Sequence, residues 1–401
     1  MKITNSLNYK ILFTNILIFV NILFIPIYFI RIPILSTTLS LLSCFLILSS
    51  FCLFILHHKN IYSIFKKEKV LWYFSLLFIL SFIPILFTYP TIHGLGVFIE
   101  WILFPALFGF LLYIHISKNS SVFFWINYAL LTILFLVSTI SIIYLFQNIL
   151  TFDNRLQSFF LSPNHLAMFT TPLIFIVSTQ LFISKKFSIK IFTIITILFA
   201  LITLYSTESF SSILALLLSM LFIIFIYIKK KWILVFFLIL TSILLFVISY
   251  QKIIHSNTEW HRNSLSSRIM IWDSATFYIQ NNILFTNTSI DNFQQIYLEA
   301  QPYFTPYLEW SAPTPHNLLL TLWVSGGFFS VLFFCLICAR WLFISLTTYY
   351  KTKNAAILLF VAALLTILIN SIFDTPVWKN DLSVIFWLII VLQNYFKLNK
   401  I

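Results

Sequence analysis

The sequence predicts an all-α membrane protein, a polytopic bundle of about 12 spanning helices with one large outer loop. Three observations predict it. The chain is 61% hydrophobic and only 9% charged, whereas a soluble domain carries roughly 25% charged residues. Apolar runs close to the roughly 20 residues needed to cross a bilayer recur from one end to the other. Residues 251–317 are the longest interval without such a run, and they hold much of the polar chemistry: Arg262, Arg268, His255, His261 and Pro315-His316-Asn317.

The expected spans lie near 11–30, 34–56, 70–89, 96–116, 122–150, 165–183, 189–205, 212–228, 232–250, 318–347, 355–373 and 382–396. The first is long and lacks a small-residue cleavage site, so it reads as a retained helix rather than a signal peptide. No Gly/Ser-rich linker and no repeat divides the chain, and residues 1–401 read as a single polytopic domain. Cys44, Cys52, Cys335 and Cys338 all fall inside apolar runs and imply no disulfide framework. Cys335-x-x-Cys338 has a redox spacing, but within a span it reads as small residues at lipid depth.

The net charge of +13 does not point to nucleic acid, because the lysines sit in short clusters between apolar runs. That is the pattern of topology signals. The N-terminus, the loops after even-numbered spans and the C-terminus together hold 17 of the 24 Lys and Arg residues, against 6 on the opposite side, with Arg340 near the inner end of its span. Both termini are therefore expected in the cytoplasm. Ten of the eleven carboxylates fall on the outer side, Glu68 being the exception. The chemistry is expected there too. No Gly-rich phosphate loop is present, which disfavours a nucleotide-dependent enzyme.

Five polar constellations can carry chemistry. Asp153-Asn154-Arg155 precedes Ser162-Pro163-Asn164-His165; Asn164 is placed to cap the sixth span, leaving helix-end N–H groups for an anion, or the segment is an ordinary cap beside a snorkelling arginine. Residues 205–212 form a hydroxyl-rich break that either lines a cavity or is a tight turn. Arg268 and Trp272, four apart, present a guanidinium beside an indole on one helical face, or the helix lies on the lipid surface. His316 stands at the mouth of the tenth span, where an ionisable residue is a functional candidate and a histidine a ready base; a structural histidine is the bland reading. Asp374 and Asp381 flank an outer turn, either positioning substrate, pairing with Arg268 or Arg155, or capping and solvating the turn. No His/Cys/carboxylate set has metal spacing, so the expected catalyst uses arginine forks on phosphate oxygens without a metal or other cofactor. A lipid-borne diphosphate donor fits such a site.

At these residues the chain resembles the O-antigen ligase and polymerase superfamily. The resemblance spans about 150–390. Arg155 with Ser162-Pro163-Asn164 is similar to the family's arginine and Asn-Pro-Asn-like segment. Ser267-Arg268-Ile269-Met270-Ile271-Trp272 resembles its Arg-three-residues-Trp element, and Pro315-His316-Asn317 with Gly326-Gly327 its His-Asn and downstream glycine. Phe373-Asp374-Thr375-Pro376 is similar to a C-terminal turn of many members. Two departures stand out: Ser209-Phe210-Ser211 replaces the frequent Ser-Arg-Gly, and the Pro and Gly usual after the Arg-Trp element are absent.

The resemblance implies a GT-C-like, metal-independent glycosyltransferase of the bacterial cytoplasmic (inner) membrane, acting on its extracytoplasmic face. It implies an undecaprenyl-diphosphate-linked glycan as donor and lipid A core, glycan or protein as acceptor. It implies a catalytic role for His316 and diphosphate binding by Arg268, with Arg155 or Arg262 supplying the missing cationic contact. Asn164, Trp272, Asn317 and Asp374 are the expected supporting residues. Ligase activity is the first expectation and repeat-unit polymerase the alternative. A transporter or flippase is the reading from another class; it requires ionisable residues deep within the spans.

Overall fold

The computed structural model describes residues 2–34, 37–62, 68–227, 264–303 and 310–399. The expected ninth span and Arg262, His255 and His261 lie outside the described residues. The described chain is mostly helical, and eight helices are long and apolar enough to cross a membrane. Shorter apolar helices occupy Tyr9–Leu23, Ala355–Asn370 and Asn380–Phe396. Each of the eleven expected spans within the described residues contains helix.

After α1 (Lys2–Leu23) the chain departs from an all-α fold. Arg31–Ile34 (β1) and Thr37–Ser40 (β2) form a small antiparallel hairpin, with Arg31 opposite Ser40. The second span therefore begins at Leu41, not near 34. Thr37, Thr38 and Leu39 suit a strand, and Ser40 ends it by capping α2 (Leu41–His57), its hydroxyl accepting from the Ser43 amide. Next come α3 (Lys69–Leu80), α4 (Ile83–Thr88) and α5 (Ile92–Val97). A π-helical turn, Phe98–Leu103, joins α5 to α6 (Phe104–Lys118). Such turns are rare and tend to occur at functional sites.

The core is built around α8 (Pro163–Ile183), which follows α7 (Val122–Phe146) and is 78% buried. It packs against α7, α9 (Phe187–Ser206), α10 (Phe210–Tyr227) and α14 (Ala355–Asn370). Two of its threonines are satisfied along its own backbone: the Thr170 and Thr171 hydroxyls donate to the carbonyls of Leu166 and Ala167, just ahead of Pro172.

The described part of the large loop carries helix. Helices α11 (Ser264–Asn281) and α12 (Phe293–Ala300) enclose a second apolar cluster of Met270, Ile271, Ile279, Phe293, Ile296 and Tyr297, closed by Val324. So α11 packs on protein, and the lipid-surface alternative does not describe it. Val324 lies on α13 (Leu318–Thr352), whose 35 residues exceed one span. The helix breaks at Gly327, where φ is +72°. A Cβ there would stand 2.7 Å from the Leu284 carbonyl, which accepts from the Phe328 amide instead. Ser330 bridges the break, donating to Leu322 and Gly327 carbonyls. The chain ends with α15 (Asn380–Leu392) and α16 (Asn394–Asn399).

The polar loops converge at one end of the bundle. Leu156 is hydrogen-bonded to Ser206, Asn317 to Ile372, Asn380 to Ser40 and Thr91 to Asp291. The other end holds two buried polar pairs. Arg340 lies 3.5 Å from Glu68, so the lone acid of the lysine-rich side meets the arginine placed near that side. His57 donates to His115 at 2.7 Å, and His115 to the Asn15 carbonyl oxygen at 2.9 Å.

Candidate functional site

Four expected residues meet around Asp374. His316 Nδ1 lies 3.6 Å from Asp374 Oδ1, an ion-pair distance slightly too long for a hydrogen bond. Asn164 Nδ2 donates to Asp374 Oδ2 at 3.4 Å, and Asn164 Oδ1 accepts from Arg155 at 2.8 Å. Arg155, Asn164, Asp374 and His316 thus form one polar chain drawn from the 151–162 loop, α8, the final turn and the mouth of α13.

Each is held by its local backbone. Ser162, with extended φ and ψ, caps α8 by accepting from the His165 amide, and Pro163 occupies the first helical position. The cap is therefore Ser162 and not Asn164, which frees the Asn164 amide for Asp374. Asn317 caps α13 by accepting from the Leu320 amide and donates to the Ile372 carbonyl, while the Leu318 amide donates to Ser371. These bonds seat His316 over the Asp374 turn. His316 takes φ of +50°, a left-handed conformation uncommon outside glycine. Such strain marks sites where the surroundings fix an unusual geometry. Its side chain stays 36% exposed, and Asp374 is buried.

Arg155 also donates through Nε to the Thr207 carbonyl at 2.8 Å and lies 3.6 Å from Asp153. Its guanidinium therefore occupies the 205–212 break, beside the position where Phe210 replaces the family's arginine. The break itself is a tight turn, tied to α14 by Ser212 donating to Asn370.

Arg268 enters from α11. Asp374 and Arg155 are its electrostatic neighbours, and no carboxylate among the described residues lies within ion-pair distance of it. Of the alternatives open to Asp374, direct pairing with an arginine is not the one found; its partners are His316 and Asn164. Burial depresses the Arg268 guanidinium, Asp374 opposes that and Arg155 adds to it; an arginine still keeps its proton at neutral pH. Trp272, one turn on, sits 6.5 Å from the Phe373 ring. Burial would raise the Asp374 carboxyl, but the His316 imidazole, Lys379 and Arg268 override it and hold it well below the usual carboxylate range. Burial pulls Lys379 down, against the upward pull of Asp374 and Asp381.

Sequence reasoning missed a second pair behind the first. His165 Nε2 donates to Asp381 Oδ2 at 2.8 Å, with both side chains fully buried. The Tyr28 hydroxyl donates to His165 Nδ1 at 3.3 Å and accepts from the Leu161 amide. Adjacent residues of α8, Asn164 and His165, therefore grip Asp374 and Asp381, the two ends of the final turn. The quoted Ser-Pro-Asn-His segment contained the signal, but nothing in the sequence ties His165 to a partner 216 positions away.

No curated protein matches the chain. The family model described as O-antigen ligase matches residues 195–335, an interval that includes Arg268, Trp272, His316 and Asn317. Arg155, Asn164 and Asp374 lie outside that interval and join it only through the contacts above. Over those residues the chain is similar to the O-antigen ligase family, in agreement with the motif order around the large loop.

Proposed function

We propose that the protein is a metal-independent glycosyltransferase that moves an undecaprenyl-diphosphate-linked glycan to an acceptor on the outer face of the bacterial cytoplasmic membrane. The reading is supported most directly by His316 facing Asp374 at 3.6 Å, with Arg268 an electrostatic neighbour of the same carboxylate and Arg155 joined to it through Asn164. Asp374 favours the tautomer with the proton on Nδ1, which leaves Nε2 to accept the proton of an acceptor hydroxyl. The acceptor oxygen then bonds to the sugar carbon, and the bond from that carbon to the diphosphate oxygen breaks. Arg268 and Arg155 stabilise the charge that grows on the leaving diphosphate, and Asp374 stabilises the imidazolium. In this scheme Arg155, at the 205–212 break, supplies the cation that Phe210 cannot. Arg262, the other candidate for that role, lies outside the described residues.

Trp272 and Asn317 have supporting roles, the first walling the site beside Phe373 and the second fixing the mouth of α13. The acceptor is lipid A core or protein for a ligase and another glycan for a polymerase; the base and the cations serve both. A GT-C-like architecture and cytoplasmic termini belong to the same reading, supported by the lysine-rich loops at the end opposite the site. A transporter is less well supported, because the described buried ionisable groups gather at the two ends of the bundle. Complementation of ligase-null and polymerase-null strains tests the function. Restored attachment of glycan indicates a ligase and restored chain length a polymerase; restoration of neither, with the protein inserted, contradicts both.

A further inference from the structure

A cavity of about 640 Å³ lies between the β1–β2 hairpin and residues 92–101, at the same end of the bundle as the site. Its lining is mostly apolar, with Leu39, Gly96 and Trp101 among its walls, and a few polar groups converge on it: Arg31, His93 and Glu100. That size and mixture are usual for a small-ligand site. Glu100 is buried, and its Oε1 accepts from the Ser40 amide at 2.8 Å. Among the described residues its Oε2 has Arg31, at 4.0 Å, as its ion-pair neighbour. The Arg31 side chain is 51% exposed and also makes a long bond to Thr38. The cavity thus offers a carboxylate acceptor, a guanidinium donor and an indole, with the carboxylate and guanidinium balancing in charge.

The cavity shares a wall with the site. Trp101 packs edge-on against Trp378 with ring centroids 6.1 Å apart. Asn380 donates to the Ser40 hydroxyl at 3.2 Å, and the Ser40 amide in turn donates to Glu100. Both Trp378 and Asn380 belong to the final turn that carries Asp374. On the rim, His93 donates to Asp291 at 2.8 Å and Thr91 donates to the same carboxylate, which ties the cavity's edge to the large loop.

We infer that this cavity is the subsite for the acceptor's saccharide. The inference rests on the glycosyltransferase reading above. A diphosphate is disfavoured here because Glu100 opposes it, whereas Arg268 and Arg155 offer it two cations. Sugar hydroxyls suit the Glu100 carboxylate and the Arg31 guanidinium as paired acceptor and donor, and a pyranose face suits an indole.

Gly96 gives a clean test, because a Cβ built on it meets nothing within 4 Å and the residue lines the cavity. The full chain in nanodiscs is titrated with oligosaccharide released from the surface glycan of the producing cells, read by saturation-transfer NMR. Wild type is expected to bind the oligosaccharide saturably. G96W is expected to weaken binding at least tenfold, and E100Q several-fold, with thermal midpoints near wild type. Equal binding by wild type and G96W, or no binding by wild type, overturns the inference. So does a G96W protein that loses lipid-linked donor while keeping the free saccharide. Binding here is read without turnover, so transfer activity surviving in H316A refutes the proposed chemistry without touching this result.

Discussion

His165 and Asp381 pair at 2.8 Å with no solvent exposure on either side chain, directly behind the pair formed by His316 and Asp374. Breaking a buried pair strands a polar or charged group and costs about 3–5 kcal/mol. Asp381→Leu is therefore expected to lower the thermal midpoint of the detergent-purified protein sharply. Asp381→Asn, which keeps an acceptor for His165, should lose much less. Equal losses in the two variants would show that the His165 hydrogen bond contributes little.

Gly327 makes a different kind of claim, about backbone. Its φ of +72° and the Leu284 carbonyl 2.7 Å from a would-be Cβ leave no room for a side chain. Strained backbone of this sort costs on the order of 1–3 kcal/mol. Gly327→Ala should lower the thermal midpoint, while Gly96→Ala, with open space around its Cβ and a helical position that favours alanine over glycine, should leave it unchanged or raise it slightly. A Gly327→Ala protein as stable as wild type would mean that α13 straightens without loss.

Arg268 is expected to act as a bidentate fork on the donor diphosphate. Arg268→Ala should reduce transfer by at least a hundredfold, in the range of a lost oxyanion contact. Arg268→Lys keeps the charge but not the fork and should recover only part of that loss. Steady-state kinetics with lipid-linked donor distinguish the cases, and a lysine variant matching wild type would remove the fork from the account.

The pH dependence of stability has a definite sign at Asp374. Its folded pKa is depressed, so its stabilising contribution is fully present above the ordinary carboxylate value of about 3.9 and is lost as pH falls through the folded value. The difference in thermal midpoint between wild type and Asp374→Asn should not shrink from pH 7 to pH 5. A difference that shrinks across that window would mean that Asp374 titrates there and is not held ionised by His316, Lys379 and Arg268.

Most of the fold was legible because bilayer crossing demands long apolar runs, and those runs stand out against the short lysine clusters between them. The hairpin at 31–40 was not, because residues 34–40 read as the start of the second span. The site was legible as types and order: Arg155, Asn164, Arg268, His316 and Asp374 were each marked by polarity beside a helix mouth. Their pairing was not. Sequence left Asp374 to position substrate, to pair with Arg268 or Arg155, or to cap and solvate the turn, whereas the fold gives it to His316 and Asn164, because the Asn317 cap and the Leu318–Ser371 bond seat one helix mouth on the other. Asn164 was read as a cap, a role the preceding Ser162 takes once Pro163 fixes the first turn.

The central claim is that His316 is the base that activates the acceptor. Its most direct test is transfer by purified H316A, reconstituted with lipid-linked donor and acceptor, alongside wild type. The account predicts a loss of at least a hundredfold in turnover, with donor binding and thermal midpoint near wild type. Turnover at the wild-type rate in H316A would contradict it.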